Sequence, residues 1–243
     1  WGWGEPLVVG LLVSSLLLLV VWVPLELRVN QPMVDLRTSA QRPVLMTNLA
    51  SIFAGMAMFV NMLVTVQVLQ QPSATGAGFG LGVTAAGLAM VPSGLAMVAM
   101  SPISGWSLTR WGGRAVLLAG AGLMALTYVG RVFYADSVAA VVVGSTLVGI
   151  GTALAFAAMP TLIMSSVPIT ETASANGLNS LVRSIGTSLA STLVAAIMVA
   201  HTVEVGGVSF ASERAFQIVL ALGAVAAAIC VALAALVPRD LRT

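Results

Sequence analysis

Residues 7–25 read LVVGLLVSSLLLLVVWVPL, a run without one charged side chain. About 20 mostly apolar residues in a helix cross the hydrocarbon core of a bilayer. Working outward, six more stretches pass the same test: 44–69, 81–103, 115–134, 138–167, 173–200 and 215–237. In lipid every backbone N–H and C=O must be satisfied within its own segment, so these runs are helices. A membrane β-barrel alternates polar and apolar residues, and these runs do not. The chain of 243 residues is 59% hydrophobic and 7% charged, against about 25% charge in soluble domains. The expected fold is all-α and polytopic, with seven transmembrane helices.

The scarce polar residues exclude several chemistries. There is no lysine, so no Schiff base can form. One cysteine (Cys230) and one histidine (His201) build neither a disulfide nor a Cys/His zinc site. No span holds a pair of carboxylates, which argues against an enzyme. The ten arginines are scattered between apolar runs, unlike the clustered basic face of a nucleic-acid binder.

Those arginines set the expected orientation. Gaps ahead of the odd-numbered stretches hold only Arg131 and Arg214, whereas the other gaps hold Arg28, Arg37, Arg42, Arg110, Arg114, Arg239 and Arg242. By the positive-inside rule the second set is cytoplasmic. The expected layout in a plasma membrane is an external N-terminal stretch with an accessory span (1–27), a cytoplasmic linker (28–43), a six-helix bundle (44–237) and a cytoplasmic tail (238–243). Thr170 and Glu171 precede the sixth stretch, and Ser212 and Glu213 the seventh, as helix-start signals. The opening WGWGEP has no initiator Met and no basic n-region, so an upstream part is expected.

Several local patterns carry a family resemblance. They are WGW at the start, the span end Pro24-Leu25-Glu26-Leu27-Arg28, and Gln31-Pro32-Met33-Val34-Asp35-Leu36-Arg37. Further on come Gly87-Leu88-Ala89-Met90-Val91-Pro92 and Gly105-Trp106-Ser107-Leu108-Thr109-Arg110-Trp111-Gly112-Gly113-Arg114. Asn176-Gly177-Leu178 with Arg183-Ser184-Ile185-Gly186 closes the series. Together they resemble the major facilitator superfamily, in its fourteen-span drug:proton antiporter branch. The resemblance implies spans eight to fourteen, the C-terminal half of a secondary transporter. It implies alternating access, coupling to a proton gradient without a bound cofactor, lipophilic drug-like substrates, and an N-terminal half of the same transporter as partner. Thr109 departs from the superfamily's G-x-x-x-D-R-x-G-R-R/K loop signature, which has Asp there. Thr can cap a helix but cannot form the ion pair.

The candidate site residues follow. Gly105, Thr109, Arg110, Gly112 and Arg114 form a short Gly-permitted turn whose guanidiniums could bias the transport cycle, or they are ordinary topology arginines. Arg183 lies about ten residues inside the sixth stretch, or roughly 15 Å along a helix. A charge there faces a cavity or partner, unless the helix begins near Leu181 and leaves Arg183 in the interface. Asn176, Asn179, Ser180, Ser184 and Thr187 form a polar stripe around it. Asn48, Asn61 and Gln67 are amides in the second stretch that bind substrate or join helices. Met58, with Met46, Met56 and Met62, suits a promiscuous lipophilic site or plain core filler. Pro92 is expected to kink the third stretch. Gly120-Ala121-Gly122-Leu123-Met124-Ala125 fits a dinucleotide fingerprint but lacks the βαβ unit it needs. Gly149 with Gly151, and Gly78 with Gly82, read as close-packing sites. The rival to transport is a seven-span sensor or interaction module, which the loop signature disfavours.

Overall fold

A computed structural model describes residues 5–29, 36–134 and 136–238. The WGW opening, the 30–35 run with Asp35, and the tail arginines Arg239 and Arg242 lie outside the described residues. So does the side chain of Arg37.

The helices are α1 (Pro6–Arg28), α2 (Leu36–Ser39), α3 (Arg42–Gln70), α4 (Val83–Phe133), α5 (Val138–Met164), α6 (Thr172–Ala200) and α7 (Glu213–Leu236). All but α2 are long and apolar enough to cross a membrane. The chain is an all-α polytopic membrane protein.

One helix reconciles six elements with seven apolar stretches. The 51 residues of α4 would extend about 76 Å at 1.5 Å per residue, far beyond a hydrocarbon core of about 30 Å. Its backbone leaves helical geometry at Gly112, with φ 78° and ψ 159°. A side chain is strained at that φ and glycine is not. Ser93 and Arg131, equidistant in sequence from Gly112, meet α5 at adjacent residues. Ser93 Oγ donates to the Ser145 carbonyl at 3.4 Å, and the Arg131 methylenes lie where a Cβ on Gly144 would fall. Thus α4 is a hairpin of two arms, 83–111 and 113–133, both laid along α5. The turn is tighter than the sequence suggests. Residues 105–111 continue the first arm as helix, and Gly112 alone breaks it.

Helix α3 occupies the middle of the bundle, with Val60 and Val64 fully buried. Glycine sets the close crossings, since a missing side chain lets backbones touch. A Cβ on Gly120 would sit 2.6 Å from the Gly151 carbonyl, one on Gly149 would meet Ser93 Oγ at 2.9 Å, and one on Gly186 would collide with the Ile52 carbonyl. Gly78 is likewise pressed against the Gln71 carbonyl, but Gly82 stands in open space and packs nothing. Helix α1 lies against little: Leu16 is 63% and Leu18 70% exposed, and Glu26 in its last turn is its one buried residue.

Two details differ from the sequence reading. The connector 201–214 holds a β-hairpin, β1 (Thr202–Val205) paired antiparallel with β2 (Val208–Ala211). Gly206 and Gly207 turn it with φ of 61° and 79°, the two positive φ angles of a tight hairpin turn. Gln71 Nε2 donates to the Ala211 carbonyl at 2.7 Å and ties the hairpin to the end of α3. At the start of α6, neither Thr170 nor Glu171 acts as a side-chain cap. Ser212 does cap α7, accepting from the Ala215 N–H.

Candidate functional site

Helix α6 has three faces, because residues four apart in a helix lie one above the other. Asn179, Gly186, Ala190, Val194 and Met198 are buried against the bundle. Leu181, Ile185, Leu189 and Leu193 form an exposed apolar stripe. Between them runs a hydroxyl stripe, with Ser180, Ser184, Ser188, Ser191 and Thr192 exposed and Thr187 half-buried. Ser184 Oγ donates to the Ser180 carbonyl at 3.0 Å, Thr187 Oγ1 to Ser184 at 2.9 Å and Thr192 Oγ1 to Ser188 at 3.1 Å. These three donors are thereby satisfied within the helix, and their oxygen lone pairs remain open. Phe59 of α3 closes one side of a groove of about 410 Å³ along this stripe. Met62, one turn on, is 53% exposed, and Met58 is half-buried.

Arg183 stands in this region. It is half-buried, and its guanidinium carbon lies 4.6 Å from the Phe156 ring centroid of α5. A cation over an aromatic face is attracted by the ring quadrupole. The Arg183 carbonyl and Cγ pack where Gly55 of α3 has no side chain. It makes one long hydrogen bond, Nη2 to Ser180 Oγ at 3.4 Å. Helix α6 begins at Thr172, well before Leu181, so Arg183 lies inside the helix.

The amides have separate partners. Asn179 Nδ2 donates to Asn48 Oδ1 at 2.9 Å, and both side chains are buried between α6 and α3. Asn61 is buried in another cluster. It accepts from Arg131 Nη1 and donates to the carbonyl and Oγ of Ser145 at 3.3 and 3.2 Å. Arg131 Nη2 reaches Thr65 Oγ1 at 3.1 Å. Tyr128, one turn back, donates to the Ala57 carbonyl. Arg131 is 4% exposed, which corrects its reading as a connector residue: α4 runs on to Phe133 and turns Arg131 back into the bundle. This cluster of Arg131, Thr65, Tyr128 and Ser145 escaped sequence reasoning. The available signals were the Asn61 amide in its apolar stretch and small Gly144 and Ser145 in the facing helix. Gln67 is exposed at the end of α3, in a pocket of about 680 Å³ shared with Gln70 and Phe210 of the β-hairpin. It joins neither amide pair.

At the opposite end the Gly-Gly-Arg turn makes a definite contact. Arg114 Nη2 donates to the Ala235 carbonyl at 2.8 Å, in the last turn of α7, where a cation meets the negative end of the helix dipole. Thr109 bonds back to the Trp106 carbonyl at 2.8 Å inside its own arm. Arg110 lies 5.6 Å from the Trp106 ring, and Trp106 packs edge-on to Trp111. Gly105 is exposed in the helix. The backbone stays helical through Pro92, which is itself exposed; the break in α4 is at Gly112.

The model of the Major Facilitator Superfamily matches residues 1–191 and 45–243. Two curated relatives, both called Multidrug resistance protein Stp, come from Mycobacterium tuberculosis strains CDC 1551 / Oshkosh and ATCC 25618 / H37Rv. Each is 30% identical over 203 residues, which are 82% of this chain and 36% of the relative. The chain thus spans little more than a third of the length of these relatives. With apolar spanning helices, a glycine-turned hairpin between two of them, and a family match along its whole length, this chain belongs to the Major Facilitator Superfamily.

Proposed function

We propose that this chain is the C-terminal bundle of a proton-coupled efflux carrier for lipophilic drugs, and that the α6 hydroxyl stripe with Arg183 lines its substrate path. The observation that carries this reading is the stripe itself. Ser180, Ser184 and Ser188 face outward beside a separate apolar stripe, so the helix is built for lipid or a partner on one side and for a polar, roomy environment on the other. Phe59 and Met62 add the adaptable apolar surface that a promiscuous site uses. The multidrug name of the Stp relatives points the same way. No catalytic role is assigned to any residue.

Alternating access uses two bundles rocking about a shared site. Proton coupling uses an ionisable group within the membrane, and the sequences of α3, α5 and α6 contain no carboxylate. We therefore place the proton-carrying group on the opposing N-terminal bundle. The arginine bias puts the Gly112 turn on the cytoplasmic side and the β-hairpin outside. At the cytoplasmic end the Arg114 bond to Ala235 acts as a latch that is remade in each cycle. The test is reconstitution in vesicles with an imposed pH gradient. Dye should move when the chain is paired with the N-terminal bundle of the same transporter and not when it is alone. Gradient-driven uptake by the chain alone, or none by the pair, overturns the proposal.

A further inference from the structure

Arg183 is the only charged residue of α6; α5 has none, and α3 has only Arg42 at its first position. The guanidinium is therefore held in place without being neutralised. Phe156 supports one face of it, Gly55 admits its stem, and Ser180 takes one long bond. A guanidinium has five N–H donors in a rigid fork and carries its positive charge delocalised over a plane. Most of that fork is unused, and the groove lined by Phe59, Thr187 and Ser188 begins one helical turn further along α6. In a medium of low dielectric, one uncompensated positive charge lowers the cost of bringing in an anion and raises that of a cation.

We propose that Arg183 is a specificity residue that makes this face select lipophilic anions. The ligands are weak acids with an apolar aromatic body. The acidic group is received by the free N–H groups of Arg183, and the body lies along Phe59 and Met62. Repulsion of cations does as much for the selection as attraction of acids. This rests on the reading of the α6 face as a substrate path.

Three probes with one aromatic body test the charge alone: pyrenebutyrate, pyrenebutanol and pyrenebutylamine. Binding to the chain in lipid nanodiscs is read by energy transfer from tryptophan, with empty nanodiscs subtracted. The butyrate should bind about tenfold more tightly than the amine, as a screened charge several ångströms away implies, with the alcohol between them. Arg183→Gln should remove the preference. Arg183→Lys, which keeps the charge but not the planar fork, should retain part of it. Equal binding, an amine preference, no binding, or a butyrate preference that survives Arg183→Gln overturns the proposal. A carboxylate of the opposing bundle is the other acid that could occupy the fork. In that case adding the N-terminal bundle abolishes butyrate binding, and the proposal falls. Failure of transport itself is read separately, in the paired vesicles above.

Discussion

Arg131 and Arg183 both fall inside apolar stretches of the sequence, and they are held in opposite ways. Arg131 sits three residues from the end of its apolar stretch, yet is 4% exposed and bonded to Asn61 and Thr65. Arg183 lies deep in its stretch, yet is half-buried, with a ring face and one long contact. Position along a hydrophobic run thus says little about burial across the bundle. The Arg131 cluster joins α3, α4 and α5 through polar groups whose other partners are protein. The Arg183 region joins α3 and α6 through Asn48 and Asn179, and holds its charge by a ring face and one long hydrogen bond. The first is a fixed joint; the second combines a joint with an open surface.

The largest expected effect breaks the fixed joint. Arg131→Ala leaves Thr65 without its donor and Asn61 Oδ1 with only the long bond from Thr65, and it empties the space over Gly144, so it should cost about 3 kcal/mol or more. Thermal unfolding in detergent would register this as a large loss of folded protein. Unchanged stability would place Arg131 outside any structural cluster.

A smaller effect sharpens the joint between Asn48 and Asn179. A double-mutant cycle with Asn48→Ala and Asn179→Ala should return a coupling of about 0.6 kcal/mol, at most about 1.7, the range found for hydrogen bonds between membrane helices. Zero coupling would mean that the two amides do not bond and are free for another ligand.

The smallest stability change belongs to Arg183→Ala, about 0.5 kcal/mol or less, since it loses one long contact and an exposed-type cation–π interaction. Transport by the paired bundles should nevertheless fall several-fold, and Arg183→Lys should restore it only in part because the planar fork is lost. Large destabilisation with normal specific transport would make Arg183 a second structural arginine.

The contrast also marks what the sequence makes legible. Apolar length alone yields the spans, because the bilayer dictates both helix and length. The break near Gly112 is legible because Arg110, Gly112, Gly113 and Arg114 separate two apolar stretches, although the sequence suggests a loop from 104 to 114 and the helix runs on to 111. The hairpin Thr202–Ala211 was legible in principle, since Val203, Val205, Val208 and Phe210 alternate around Gly206-Gly207, but strands so short are hidden inside a connector. Asn48 and Asn179 were singled out for being amides in apolar surroundings; that they meet each other depends on the Gly186 crossing against Ile52, which no local pattern reveals. Arg131 was misplaced because its neighbours in sequence look like a helix end, and its partners lie on two other helices.

The central claim is that the α6 hydroxyl stripe, not its apolar neighbour, faces a water-filled path. Single cysteines at Ser184 and Ile185, in a Cys230→Ala background of the paired bundles, separate the two faces at the same depth. A membrane-impermeant thiol reagent, offered from both sides of the membrane, should label Ser184→Cys, with transported dye protecting it, and leave Ile185→Cys unmodified. Labelling of Ile185→Cys with no reaction at Ser184→Cys would contradict the account.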